Sequence, residues 1–138
     1  MKNMKILVDT DIALDFLINR EPFFKESYAV IQRCLEDVDG YISAHSVNNI
    51  FYILRKHCSI EERRHLLYEI CSILDVVGTS KEQVFNSINN EHFIDFEDCL
   101  QVECAKSKGI DFIVTRNISD FLNSEIKAIL PIDFCSQK

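Results

Sequence analysis

Three places in the sequence put carboxylates directly beside apolar or helix-forming stretches. Asp9 ends the run Ile6-Leu7-Val8, and Asp11 follows two residues on. Asp95-Phe96-Glu97-Asp98 opens a helical stretch, and Thr115-Arg116-Asn117-Ile118-Ser119-Asp120-Phe121 follows the apolar run Phe112-Ile113-Val114. Carboxylates brought together repel one another, and the usual relief is a shared proton or a bound cation. An oxygen-only set without neighbouring His or Cys suits hard Mg²⁺ or Mn²⁺. An ion held by few carboxylates keeps waters and open positions for substrate phosphate oxygens, and can orient an attacking water. Asp98, as third residue of its helix, is expected to stay anionic at neutral pH, because the helix dipole favours negative charge there. Taken singly, Asp11 and Asp95 read as turn or helix caps, and Asp120 could cap a short helix at Phe121. The metal chemistry needs Asp9, Asp98 and Asp120 on one rim.

Arg116 and Asn117 could bond phosphate oxygens, with a solvated surface charge as the plainer reading of Arg116. Arg55-Lys56-His57 and Arg63-Arg64-His65 are the basic clusters. They could guide a polyanion, but pairing with Glu61, Glu62 and Glu69 on exposed helix faces is the simpler expectation. The six cysteines are dispersed without a C-x-x-C pair, which argues against a zinc site or disulfide framework. Fifteen Lys plus Arg against 22 Asp plus Glu give a formal charge of −7. That balance excludes a general nucleic-acid coat protein, since affinity for phosphates is built largely from basic residues. It leaves room for a site that is incomplete without cations, where two divalent ions would offset about four charges locally.

The elements that must position these residues alternate between strand and helix. Strand candidates are Ile6–Val8, Tyr41–Ala44, Asp75–Val77, Phe112–Val114 and Ile126–Leu130, the last stopped by Pro131. Helices are expected from about Ile12, over Pro22 to Val38 with Gly40 as the stop, and over the stripe Val47, Ile50, Phe51, Leu54. Ser59-Ile60-Glu61-Glu62 and Ser80-Lys81-Glu82-Gln83 match capping boxes opening two more. Asp95 caps a last one from Phe96 to Lys108, with Gly109 at its C-terminus. Alternation of this kind predicts an α/β fold with a parallel sheet and helices on both faces. With no linker or repeat, residues 1–138 read as one domain. No apolar run approaches the ~20 residues of a membrane span, and Met1-Lys2-Asn3-Met4 does not read as a signal peptide, so a cytoplasmic protein is expected. In open α/β sheets the ligand site lies beyond the carboxyl ends of the strands, where strand order reverses.

Four segments in order, Ile6-Leu7-Val8-Asp9-Thr10-Asp11, Ser43-Ala44-His45-Ser46-Val47-Asn48-Asn49-Ile50, Asp95-Phe96-Glu97-Asp98-Cys99-Leu100-Gln101 and Val114-Thr115-Arg116-Asn117-Ile118-Ser119-Asp120-Phe121, resemble the successive motifs of a PIN domain. The resemblance covers nearly the whole chain and is greatest to compact VapC-like proteins. It implies a Mg²⁺- or Mn²⁺-dependent ribonuclease on a three-layer α/β/α sandwich, with a central, mainly parallel sheet of about five strands. Asp9 and Asp98 match the family's principal metal ligands, Asp120 its later acidic position, and Thr115 and Asn117 its supporting polar residues. Homodimers, and toxins held inactive by a partner antitoxin, are common in that family. One departure stands out: the family usually carries Glu on the helix after the second strand, where this chain has Asn48-Asn49, with Asn49 the better match. An amide can still bind a cation or a bridging water, but it brings no charge and cannot act as a base. Two other readings follow: a catalytically weakened PIN module that binds RNA or protein, and a haloacid-dehalogenase-like phosphatase built on Asp9-Thr10-Asp11. The second of these lacks the expected Gly after Asp11 and a matching downstream acidic pair.

Overall fold

Ile6, Leu7 and Val8 are fully buried, and they divide between two cores. Ile6 and Val8 pack with Ile12, Val30, Ile42 and Ile50, whereas Leu7 packs with Val102, Ala105, Ile113 and Phe121. Successive strand side chains point to opposite faces, so a strand apolar on both sides must be covered on both. That requirement generates the layers. In the computed structural model, which describes residues 3–93 and 95–137, this strand, β1 (Met4–Val8), is the centre of a five-stranded sheet. The others are β2 (Val38–Ser43), β3 (Asp75–Val77), β4 (Phe112–Val114) and β5 (Lys127–Ile129). The order is β3-β2-β1-β4-β5, and every pairing is parallel. Met1 and Lys2, of the segment read as no signal peptide, lie outside the described residues.

One face is covered by α1 (Thr10–Leu17), α2 (Phe24–Glu36), α3 (Ala44–Ile53), α4 (Ile60–Ile73) and α7 (Pro131–Cys135). The other is covered by α6 (Phe96–Lys108), against which α5 (Lys81–Ile88) packs. Ser80 and Gln83 complete a reciprocal capping box, and Gly109 closes α6 at φ 64°. Ser59 also caps α4 through the Glu62 N–H, but the Glu62 carboxylate accepts from the Ser59 hydroxyl instead of returning to the backbone. Among the described residues, no helix is long and apolar enough to cross a membrane.

Several boundaries differ from those expected: α1 already starts at Thr10, and α2 starts only at Phe24, with Pro22 in the preceding turn. The second helix stops at Glu36, and Val38 and Gly40 belong to β2. Gly40 is needed there because a Cβ would stand 2.5 Å from both Cys34 Sγ and Leu74 Cδ2, so its role is close packing of α2 and α4 on the sheet, not helix termination. Ala44 starts α3 instead of ending a strand, since the Ser43 hydroxyl accepts from the Ser46 N–H as an N-cap. β5 ends at Ile129, Leu130 is the N-cap of α7, and Pro131 opens that helix at the position where a missing N–H costs nothing.

Candidate metal centre at the carboxyl end of the sheet

β1 is flanked by β2 on one side and β4 on the other, so strand order reverses at the β1/β4 boundary. Asp9 leaves β1 at this point and Thr115 leaves β4 beside it. The Asp9 N–H donates to the Val114 carbonyl at 3.0 Å, so the two strand ends are stitched together. Asp9 is the N-cap of α1, its Oδ1 accepting from the Thr10 N–H at 2.8 Å. The same oxygen accepts from Gln101 Nε2 at 2.6 Å, and Oδ2 accepts from Thr115 Oγ1 at 2.7 Å. A carboxylate that is only 8% exposed is thus held by three donors from α1, α6 and the segment after β4.

Asp98 and Asp120 line one groove of about 370 Å³ together with His92, Phe93 and Asn123. Asp98 sits in the first turn of α6, which Asp95 caps by accepting the Asp98 N–H at 3.1 Å. Asp120 is exposed, in a 3₁₀ turn over Ile118–Phe121 that buried Phe121 pins to the second core. The two supporting polar residues lie beside Asp9 and Asp11: the Asn117 N–H donates to Thr115 Oγ1 at 3.0 Å, and Asn117 Nδ2 to Asp11 Oδ2 at 3.1 Å. Asn49, on α3, donates from Nδ2 to Glu97 Oε2 at 2.6 Å.

Arg116 is not a solvated surface charge but the partner of a buried carboxylate. Its guanidinium grips buried Asp15 through Nε at 2.9 Å and Nη2 at 3.2 Å, and lies 3.7 Å from the centroid of the Phe23 ring. Asp15, fully buried in α1, also accepts from Arg20 Nε and Ser27 Oγ. The basic clusters likewise depart from expectation. Arg55 stacks on Tyr52 and Arg63 on Phe51, and among the described residues neither forms an ion pair with Glu61, Glu62 or Glu69.

Burial and like charge act together on the acids. Burial, countered by the Thr115 and Thr10 bonds and reinforced by Asp120, raises the Asp9 carboxyl above its ordinary value. Burial, followed by Asp95, Asp120, Asp9 and Glu97, pushes Asp98 up to about 7. Asp98 was expected to remain anionic because of the helix end. Desolvation and four neighbouring carboxylates act against that dipole, which contributes about 0.3–1 kcal/mol at exposed sites and up to about 2 kcal/mol in partly buried ones. Asp11 is pushed up to about 6, by burial first and Asp9 second.

The donor set fits a hard divalent cation. Among the described residues no three His, Cys, Asp or Glu side chains cage an ion by themselves. Mg²⁺ is bound by one or two carboxylates plus several waters, so a closed cage is not required. Asp9, Asp98 and Asp120 are within each other's electrostatic reach. Around Asp9, Thr10 Oγ1, Asp11 Oδ1 and Gln101 Oε1 are buried oxygens without a partner. The neighbourhood thus has both excess negative charge and spare oxygen donors.

Sequence reasoning assigned no role to Gln101, Glu97 or Asp15. Gln101 falls three residues after Asp98 and four after Glu97, on the same helical face, and this spacing was the available signal. For Asp15 the signal was a lone carboxylate four residues after Asp11 inside an otherwise apolar helix.

A parallel sheet in this order, with acids at its reversal point, defines a class that comparison with known proteins identifies. The chain belongs to the PIN domain family, whose model matches residues 5–119. Its fold is that of VapC proteins. VapBC2 from Rickettsia felis bound to a promoter DNA fragment superposes with a TM-score of 0.71 at 16% identity, covering 92% of this chain and 98% of that one. A toxin-antitoxin complex from Klebsiella pneumoniae gives 0.69 at 18% identity, covering 91% and 97%. Mycobacterium tuberculosis VapC20, a Sarcin-Ricin loop cleaving toxin, gives 0.64 at 11% identity, covering 78% and 86%. No curated protein matches the chain.

Proposed function

We propose that this protein is a Mg²⁺- or Mn²⁺-dependent ribonuclease and the toxin of a toxin-antitoxin pair, working in the cytoplasm as a homodimer. What supports the reading is that Asp9, Asp98 and Asp120 act on one another electrostatically near the β1/β4 reversal point, where burial and like charge raise Asp9 and Asp98. Family membership and the VapBC and VapC20 relatives support the RNA substrate and the antitoxin partner.

When bound, a divalent ion supplies charge neutralisation for a phosphodiester and acidifies its attacking water. The chain's own residues prepare the site. Thr10, Gln101 and Thr115 fix the Asp9 carboxylate before any ligand arrives, so little reorganisation is needed. Asp98 and Asp120 present their carboxylates on the groove wall, and Asn117 ties the Asp120 turn to Thr115. Arg116 anchors this segment to α1 through Asp15.

Calorimetric titration with Mn²⁺ and cleavage of a structured RNA test the proposal. Wild type is expected to bind and cleave, and Asp9→Asn to lose both. An Asp9→Asn protein that cleaves like wild type refutes it. The second reading, a weakened module that binds RNA or protein, is favoured by the uncharged Asn49. Wild type that retains RNA yet leaves it intact in saturating Mn²⁺ would support that alternative.

A further inference from the structure

α3 and α6 pack on opposite faces of the sheet, with Ile50 in one core and Val102 and Ala105 in the other. Side chains of the two helices meet beyond the strand ends, and among the described residues their one side-chain hydrogen bond is Asn49 Nδ2 to Glu97 Oε2, at 2.6 Å. That bond therefore spans the carboxyl edge of the sheet, the edge at which Asp9 stands. Glu97 is one helical turn before Gln101, and Gln101 holds Asp9 at 2.6 Å. Residues four apart share a helix face, so Glu97 is directed along the same side of α6 as the residue that grips Asp9. Its second oxygen, Oε1, receives no protein donor among the described residues, and Gln101 Oε1 is buried without a partner in the same neighbourhood.

We propose that Glu97 supplies from α6 the carboxylate that position 49 lacks on α3, with Asn49 as the positioning residue that aims it at the cation's coordination shell. This rests on the metal-dependent reading above. It restores a count of four carboxylates: Asp9, Glu97, Asp98 and Asp120. The charge then stands on α6, and the Asn49 amide on α3 serves as its hydrogen-bond donor. A carboxylate at position 97 leaves the site charged for binding a divalent ion even with an amide at position 49.

Mn²⁺ affinity by isothermal titration calorimetry, on the full chain, is the direct test. Glu97→Gln keeps an acceptor for Asn49 Nδ2 but removes the charge, and is expected to weaken Mn²⁺ binding about tenfold or more. Asn49→Ala keeps the charge but frees its carrier, and is expected to weaken binding by a smaller factor. The double variant N49E/E97Q returns the carboxylate to α3 and is expected to recover most of the loss, which a merely structural role for Glu97 would not predict. Thermal unfolding of each metal-free variant identifies loss by misfolding, and the double variant then decides. If Asp9→Asn abolishes binding while Glu97→Gln binds like wild type, the role proposed for Glu97 is wrong and the metal site stands. Absence of Mn²⁺ binding by wild type overturns both.

Discussion

The proton inventory of metal binding follows from the raised Asp98 carboxyl. With a value of about 7, roughly nine-tenths of Asp98 is protonated at pH 6, half at pH 7 and about one-tenth at pH 8. A cation that requires the carboxylate must displace that proton, so its apparent affinity is expected to fall about tenfold from pH 8 to pH 6. Burial also raises Asp9, so the proton released by Asp98 is the minimum to be counted. The assay is Mn²⁺ titration calorimetry in two buffers with different ionisation enthalpies at each pH. The difference in heat divided by the difference in buffer enthalpy gives protons released per ion: about 0.9 at pH 6 and about 0.1 at pH 8 from Asp98. Affinity and heat that are the same in both buffers and at both pH values would refute the reasoning. Asp98 would then either bind no cation or carry no displaced proton.

Four further outcomes are expected. Metal-free protein should lose stability as pH rises: Asp98 titrates near 7 folded against 3.8 unfolded, so its favourable contribution is full below about 4 and gone above about 7. Chemical denaturation at a series of pH values reads this, and saturating Mn²⁺ should flatten the dependence. Asp15→Ala strips the partner from Arg20 and Arg116, whose side chains are 35% and 24% exposed, and should cost about 3 kcal/mol in urea unfolding. Asp37→Ala, at the exposed Arg33–Asp37 pair, should cost less than about 0.5 kcal/mol in the same assay. Gly40→Ala forces a methyl to within 2.5 Å of Cys34 and Leu74 and should cost about 1–3 kcal/mol, read as a lowered urea midpoint with unchanged slope.

The alternation of elements was legible because burial on two faces leaves continuous apolar runs, and helix ends carry local signals. Asp95, Ser80 and Gly109 end their helices by bonds to residues within a turn, so a reader of the sequence sees both partners at once. Gly40 was misread for the opposite reason. What demands glycine there is contact with Cys34 and with Leu74, thirty-four residues away, and no local pattern records that approach.

The same division runs through the site. Sequence alone determined that acids follow two strand ends and open one helix, because backbone topology carries any residue at such positions to the carboxyl edge of a parallel sheet. It could not determine what each polar group does on arrival. Arg116, offered to phosphate by its position, is captured by Asp15 across 101 residues. Gln101 and Thr115 close on Asp9 from 92 and 106 residues away, and Asn49 reaches Glu97 over 48. These pairings are set by hydrogen-bond distances of about 3 Å, shorter than the spacing between neighbouring strands. Only the packed tertiary structure decides which side chains come that close.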